Sequence, residues 1–148
     1  MLAHDCEANN TYEGDNDILL MQTAKMLLRN LQWMMKGKTV LETCEFMHLE
    51  DPDVDVLKRD LTPKNMLMLF RKRAKDQTME FGQTISQNFA DWDKHQAYMV
   101  RDMTKAYHEL YLANTFKEFI AEFTDPATKK VFQSMADLYM KSKIVEDS

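Results

Sequence analysis

A short acidic turn near the N-terminus of the 148-residue sequence contains the first candidate catalytic side chains. Glu13 and Asp15 flank Gly14, with Tyr12 before them and Asn16 after them. The tetrapeptide Tyr12-Glu13-Gly14-Asp15 alone has a simple structural interpretation as the entry to a helix. Acidic side chains are favoured there because the first N–H groups of a helix lack partners. A match this short does not by itself indicate a function.

Other side chains that could do chemistry lack the spacing that chemistry requires. Asp91 and His95 stand four residues apart, but no third metal ligand is near them, and we predict no metal site. The sequence has no Gly-rich phosphate loop, no Ser, His and Asp order typical of a triad, and no nucleophile elbow. The thirteen methionines could form an adaptable binding face, but helical spacing favours a core-filling role.

The acidic turn precedes the clearest helix of the sequence, from Ile18 to Lys36. Its apolar residues recur in steps of three and four, which places them on one stripe of a helix; they are Leu20, Ala24, Leu27, Leu28, Leu31, Met34 and Met35. Asp15 and the residues after it suit a helix start, and Lys36-Gly37-Lys38 suits a helix end. The turn is therefore predicted to lie at the N-terminus of a long amphipathic helix.

Three more helices are predicted after a long connector at residues 38–61, which shows no sustained period. Thr62-Pro63 pairs a capping residue with proline at the first helical position, opening a helix to about residue 88 in which Gly82 weakens the last third. A helix is predicted at about 92–123, and Asp125-Pro126 opens a last one. We predict an all-α bundle of four main helices.

The composition excludes several classes of function. A net charge of −5 gives no general attraction to nucleic acid, and we read the basic run Arg71-Lys72-Arg73 with Lys75 as a solvated helix face. No apolar run approaches the ~20 residues that cross a bilayer, so we expect no membrane span. Cys6 and Cys44 have no disulfide or zinc spacing.

The acidic turn belongs to a longer match that changes its interpretation. The stretch from His4 to Lys25, with Thr11-Tyr12-Glu13-Gly14-Asp15-Asn16 ahead of a helix that contains Gln22 and Ala24, resembles the catalytic-base loop and following helix of flavin-dependent acyl-CoA oxidases. The related acyl-CoA dehydrogenases usually have threonine where Asp15 stands. More than 120 residues follow the motif, as in oxidases, and residues 89–144 resemble the oxidase C-terminal domain more diffusely.

The resemblance implies a role for each residue of the motif. Glu13 is the catalytic base that removes the α-proton of a fatty acyl-CoA while a hydride leaves the β-carbon for N5 of the flavin. Gly14 lets the backbone approach the substrate, and Asp15 and Asn16 lie against FAD. The implied products are a trans-2-enoyl-CoA and, after O2 reoxidises the flavin, hydrogen peroxide.

The resemblance also implies a division of the chain. Residues 1–37 would be the base loop and helix from the end of a central helical domain, 38–61 a connector, and 62–148 part of the C-terminal helical domain. We expect a C-terminal fragment that lacks most of the flavin-binding domains and is inactive alone. Family membership implies a peroxisomal location and a homodimer in the full-length parent. Two alternatives remain open, a non-enzymatic helical interaction module derived from an oxidase and a fragment of an acyl-CoA dehydrogenase.

Overall fold

The computed structural model describes residues 16–87 and 96–146, and every regular element among them is helical. The four long helices are α1 (Asn16–Met35), α3 (Pro63–Gln87), α4 (Arg101–Ala121) and α5 (Pro126–Glu146). A 3-10 helix (Glu42–His48) and the short α2 (Val54–Arg59) lie between α1 and α3, and a π-helical turn (Gln96–Val100) leads into α4. The all-α prediction with four main helices is confirmed.

Helix α1 ends as its sequence predicts. Gly37 has a φ of +66°, in the left-handed region that glycine adopts without a steric penalty. Its N–H donates to the carbonyl of Met34 at 2.9 Å, and the N–H of Lys38 donates to the carbonyl of Trp33 at 2.9 Å. This pair of hydrogen bonds is the Schellman motif, which satisfies carbonyl groups that the helix leaves free.

The starts of α3 and α5 also follow the predicted capping chemistry. The Thr62 hydroxyl accepts from the N–H of Asn65 at 3.2 Å, directly ahead of Pro63. The Asp125 carboxylate accepts from the N–H of Thr128 at 2.8 Å. Each cap supplies an acceptor to a first-turn N–H group. Proline at the next position costs no intrahelical hydrogen bond, because an N–H at the first helical position would have no acceptor within the helix.

The segment after α1 contains helices that its sequence pattern did not predict. The 3-10 helix buries Cys44, Phe46 and Met47, and Asp53 caps α2 by accepting from two backbone N–H groups. A 3-10 helix repeats every three residues and is short, so it leaves little periodic signal. The segment therefore packs into the molecule.

One hydrophobic core joins α1, the 3-10 helix, α3, α4 and α5. The contact between α3 and α4 is the most extensive. The fully buried apolar side chains at its centre come from α1, the 3-10 helix, α3 and α4: Ala24, Leu27, Cys44, Met66, Ala74 and Met103. The buried methionines confirm a core-filling role for those side chains, while Met35 and Met135 remain exposed.

Candidate active site

The predicted site falls at the edge of the described residues. Glu13, Gly14 and Asp15 lie outside them, and Asn16 is the first residue of α1. Their roles therefore stay predictions. The structure does show how α1, the helix that follows the motif, is held in place.

Helix α1 is fixed to the core by a close approach to α3. Ala24 and Leu27 on α1 are fully buried, and Leu31 is 5 % exposed. A Cβ atom at Gly82 of α3 would lie 2.5 Å from Leu31 Cδ2, closer than two carbon atoms can pack. The glycine at this point of α3 therefore lets α1 pack close to it, and α3 continues past Gly82 to Gln87.

A buried amide fastens α1 to the segment that follows it. Asn30 is 1 % exposed, and its side-chain oxygen accepts from the N–H of Leu41 at 2.8 Å. Its side-chain nitrogen donates to the carbonyl of Met26 at 2.9 Å. Sequence reasoning missed this residue, although Asn30 follows Leu27 by three residues and so interrupts the apolar stripe with a polar group. A buried amide of this kind is retained where it has partners.

A second buried polar group ties three helices together. Glu109 of α4 is 6 % exposed and pairs with Arg73 of α3. Lys105 Nζ lies 3.9 Å and Lys143 Nζ 4.0 Å from Glu109 Oε1. One carboxylate thus attracts cations from α3, α4 and α5. The sequence separation of 36 residues between Arg73 and Glu109 hides this pairing from local pattern analysis.

The prediction that Arg71-Lys72-Arg73 and Lys75 form a solvated helix face is wrong for the last three of these cations, whose side chains are largely buried. The Lys72, Arg73 and Lys75 side chains are only 20 %, 23 % and 16 % exposed. Long cationic side chains commonly cover apolar surface with their stems. The charged ends of these three have acidic partners, which are Asp76 and Asp51 for Lys72, Glu109 for Arg73 and Asp51 for Lys75. Burial of this kind cannot be inferred from charge alone.

The carboxylate of Asp51 receives two of these cations. Lys75 Nζ donates to Asp51 Oδ1 at 3.1 Å and to the carbonyl of Leu49 at 2.6 Å, and Lys72 Nζ lies 3.5 Å from the same carboxylate. The hydrogen bond from Lys75, with the charges of both lysines, lowers the pKa of Asp51 below its usual range. These contacts hold the chain after the 3-10 helix against α3.

The described residues include no group of three or more His, Cys, Asp or Glu side chains that could hold a metal ion. Within the same residues, no helix is both long enough and apolar enough to cross a bilayer.

His108, which lies beside the ring of Tyr107, has its pKa lowered by partial burial, which disfavours the charged imidazolium.

Comparison with known proteins identifies the class to which this fold belongs. The chain superimposes on the crystal structure of acyl-CoA oxidase1 from Yarrowia lipolytica with a TM-score of 0.73, covering 93% of this chain and 21% of that chain at 17% identity. At this identity the likeness establishes the fold alone. A family model described as acyl-CoA oxidase matches residues 62–148, which is more than half of the chain. The chain belongs to the acyl-CoA oxidase family.

Curated relatives extend the match to nearly the whole chain. A probable acyl-coenzyme A oxidase, acox-1.5, from Caenorhabditis elegans is 26% identical over 149 residues, covering 93% of this chain and 21% of the relative. Acyl-coenzyme A oxidase from Debaryomyces hansenii is 26% identical over 145 residues, with 92% and 20% covered. Acyl-coenzyme A oxidase 2, peroxisomal, from Arabidopsis thaliana is 24% identical over 165 residues, with 99% and 23% covered. The chain spans about a fifth of the length of these relatives.

Proposed function

We propose that this chain is the part of an acyl-CoA oxidase that carries the catalytic base and a neighbouring helical surface. The proposed reaction converts a fatty acyl-CoA to a trans-2-enoyl-CoA, with the two electrons passed to O2 to give hydrogen peroxide. The observation that carries the proposal is the family match at residues 62–148, because these residues share one core with α1, the helix that begins within the acidic motif.

Glu13 is the proposed base. Its carboxylate accepts the α-proton of the thioester, and the electron pair of that C–H bond forms the new double bond as a hydride leaves the β-carbon. A carboxylate suits this task because exclusion of water by the substrate raises its proton affinity toward that required at neutral pH. Gly14 beside it gives the substrate access to the backbone without a side chain in the way.

FAD, the proposed cofactor, supplies the hydride acceptor when it is bound. Asp15 and Asn16 are the proposed contacts on this chain. Asn16 is the first described residue of α1, and the rest of the motif directly precedes it in the sequence. The many contacts that hold α1 to the core would keep this helix start in a fixed position against a cofactor.

The location and assembly of the oxidase are proposed from the family. A peroxisomal site is supported by the name of the Arabidopsis relative, and a homodimer by the family resemblance. A polypeptide limited to these 148 residues is expected to produce no peroxide, since it corresponds to about a fifth of its relatives.

The test substitutes Glu13→Gln in an oxidase polypeptide that contains this chain. Loss of a general base typically costs about a hundred- to ten-thousand-fold in rate, so peroxide formation from acyl-CoA should fall by that amount while flavin content and the circular dichroism spectrum are unchanged. Glu118→Gln, at an exposed position on α4, is the matched control and should keep full activity. Undiminished turnover in the Glu13 variant would remove this residue from the mechanism.

The electron acceptor decides between the proposed oxidase and an acyl-CoA dehydrogenase. Substrate-dependent peroxide formation in air supports the oxidase. Turnover that requires an added electron acceptor and leaves O2 unconsumed would support the dehydrogenase instead.

A further inference from the structure

A cleft of about 230 Å³ lies where α2, α3 and α5 meet. Its apolar lining comes from all three helices: Val54 of α2, Leu69 and Phe70 of α3, and Ile144 of α5. Phe70 is 3 % exposed and belongs to the hydrophobic core, and Leu69 beside it is 9 % exposed. A concave apolar surface of this kind favours a ligand with a hydrocarbon part.

Two of the three cations that line the cleft are paired with carboxylates, which leaves Lys58 to bind an anion. Lys58, Lys72 and Arg73 contribute three cations, and Asp76 contributes one carboxylate. Lys72 donates to both oxygens of Asp76, at 2.5 and 2.6 Å, and Arg73 pairs with the buried carboxylate of Glu109, so neither cation is in excess. Lys58 is exposed and forms no ion pair with any residue in the described parts of the chain. An anion is the complement of this arrangement.

The size of the cleft bounds the hydrocarbon part of the ligand. An engineered apolar cavity of about 150 Å³ binds benzene, which has six carbons. A cleft of about 230 Å³ therefore has room for a chain of roughly six to eight carbons. The described lining includes no residue of the proposed catalytic-base motif, so this cleft does not account for the oxidase reaction.

We propose that the cleft between α2, α3 and α5 binds a medium-chain fatty carboxylate, with its alkyl chain on Phe70 and Leu69 and its carboxylate at Lys58. The apolar floor supplies affinity, and the cation at the rim orients the ligand. Phe70 also contacts the Arg73 guanidinium, which lies 5.5 Å from its ring centre, but Glu109 balances that charge, so the group that binds the carboxylate is Lys58. The proposal does not depend on oxidase activity.

The test titrates octanoate into the purified 148-residue chain and follows the methyl NMR signals of Val54, Leu69 and Ile144. Saturable shifts confined to these residues are expected. Octanol, which keeps the chain but loses the charge, should bind more weakly, and protonated octylamine more weakly still. Equal binding of all three ligands, or no saturable shift with octanoate at millimolar concentration, would overturn the proposal.

Two substitutions and one control test the contributions of the Lys58 charge and of the apolar cleft to ligand binding. Lys58→Gln should weaken octanoate binding about threefold, the usual size of one exposed charge pair, and leave octanol binding unchanged. Lys130→Gln removes the same charge about 21 Å along α5 from Ile144 and should have no effect. Val54→Trp fills the mouth of the cleft at a half-buried position and should abolish binding of both ligands. Equal losses in the Lys58 and Lys130 variants would show that only the net charge matters, against the proposal.

Discussion

Replacing Asn30 by alanine should loosen α1 from the segment after it. The substitution leaves the Leu41 N–H without its 2.8 Å acceptor and removes the 2.9 Å bond to the Met26 carbonyl. A partly buried donor that loses its partner costs about 1–3 kcal/mol, and the small void left by the amide adds to that. We expect about 2–3 kcal/mol in total, equivalent to a fall of about 4–12 °C in Tm for a chain of this size.

Urea unfolding followed by far-UV circular dichroism measures this loss, and hydrogen exchange at the Leu41 amide locates it. Gln32→Ala is the matched control, since Gln32 lies on the exposed side of the same helix and its removal should change stability by less than about 0.5 kcal/mol. If the Asn30 variant loses no more stability than this control, or if Leu41 exchange is unchanged, the amide does not fasten the helix.

The variant Asn30→Asp tests the same contacts through the pH dependence of its stability. The new side chain keeps an acceptor for the Leu41 N–H, but its second oxygen faces the Met26 carbonyl at the position where the amide nitrogen donated. Burial and this carbonyl should raise the folded-state pKa of the introduced acid. A raised pKa gives stability that is full below the unfolded pKa and is lost as the pH rises through the folded value. The variant should therefore approach the wild type near pH 4 and weaken toward neutral pH, and a flat profile would refute this account.

Three further predictions concern other contacts. Glu109→Gln should lower the free energy of unfolding by about 2–3 kcal/mol in urea titrations, because the cations around that buried carboxylate lose their counter-charge; a change below 0.5 kcal/mol would mean that the ion pair is not a net contributor. Asp125, whose pKa is lowered by hydrogen bonds from Thr128, should stabilise α5 above about pH 4 and lose that effect as the pH falls through its folded pKa. Asp125→Ala should then lower the urea midpoint more at pH 7 than at pH 3, and an equal loss at both would argue against it. Burial raises the pKa of the Cys44 thiol. In a Cys6→Ser variant, where Cys44 is the remaining thiol, alkylation of Cys44 should therefore be slow until urea unfolds the chain; rapid labelling of the native protein would contradict this.

The parts of the fold that local chemistry determines could be predicted from the sequence. The end of α1 at Gly37 and the starts of α3 and α5 at Pro63 and Pro126 follow from single residues whose backbone preferences act within one turn. The 3-10 helix was not predicted because it is short and is fixed by packing, as the buried side chain of Phe46 shows. Helix α2 buries no side chain but is capped by Asp53, a local signal that the sequence reasoning missed.

Less of the polar structure was predictable, because it depends on contacts between distant parts of the chain. Arg73 has the sequence surroundings of a solvated cation, and only the packing of α3 on α4 brings Glu109 to it. The candidate base Glu13 is the opposite case. Its identity rests on a local motif, and the position of its side chain remains a prediction.

The close approach at Gly82 has a consequence for how this family can vary. A Cβ atom at position 82 would lie 2.5 Å from Leu31 Cδ2, which is the end of a flexible side chain, so Leu31 would have to shift or change rotamer to admit it. The two positions are therefore expected to be coupled during divergence. An oxidase that has alanine or serine at the position of Gly82 is expected either to carry a smaller residue opposite it or to hold the leucine in another rotamer.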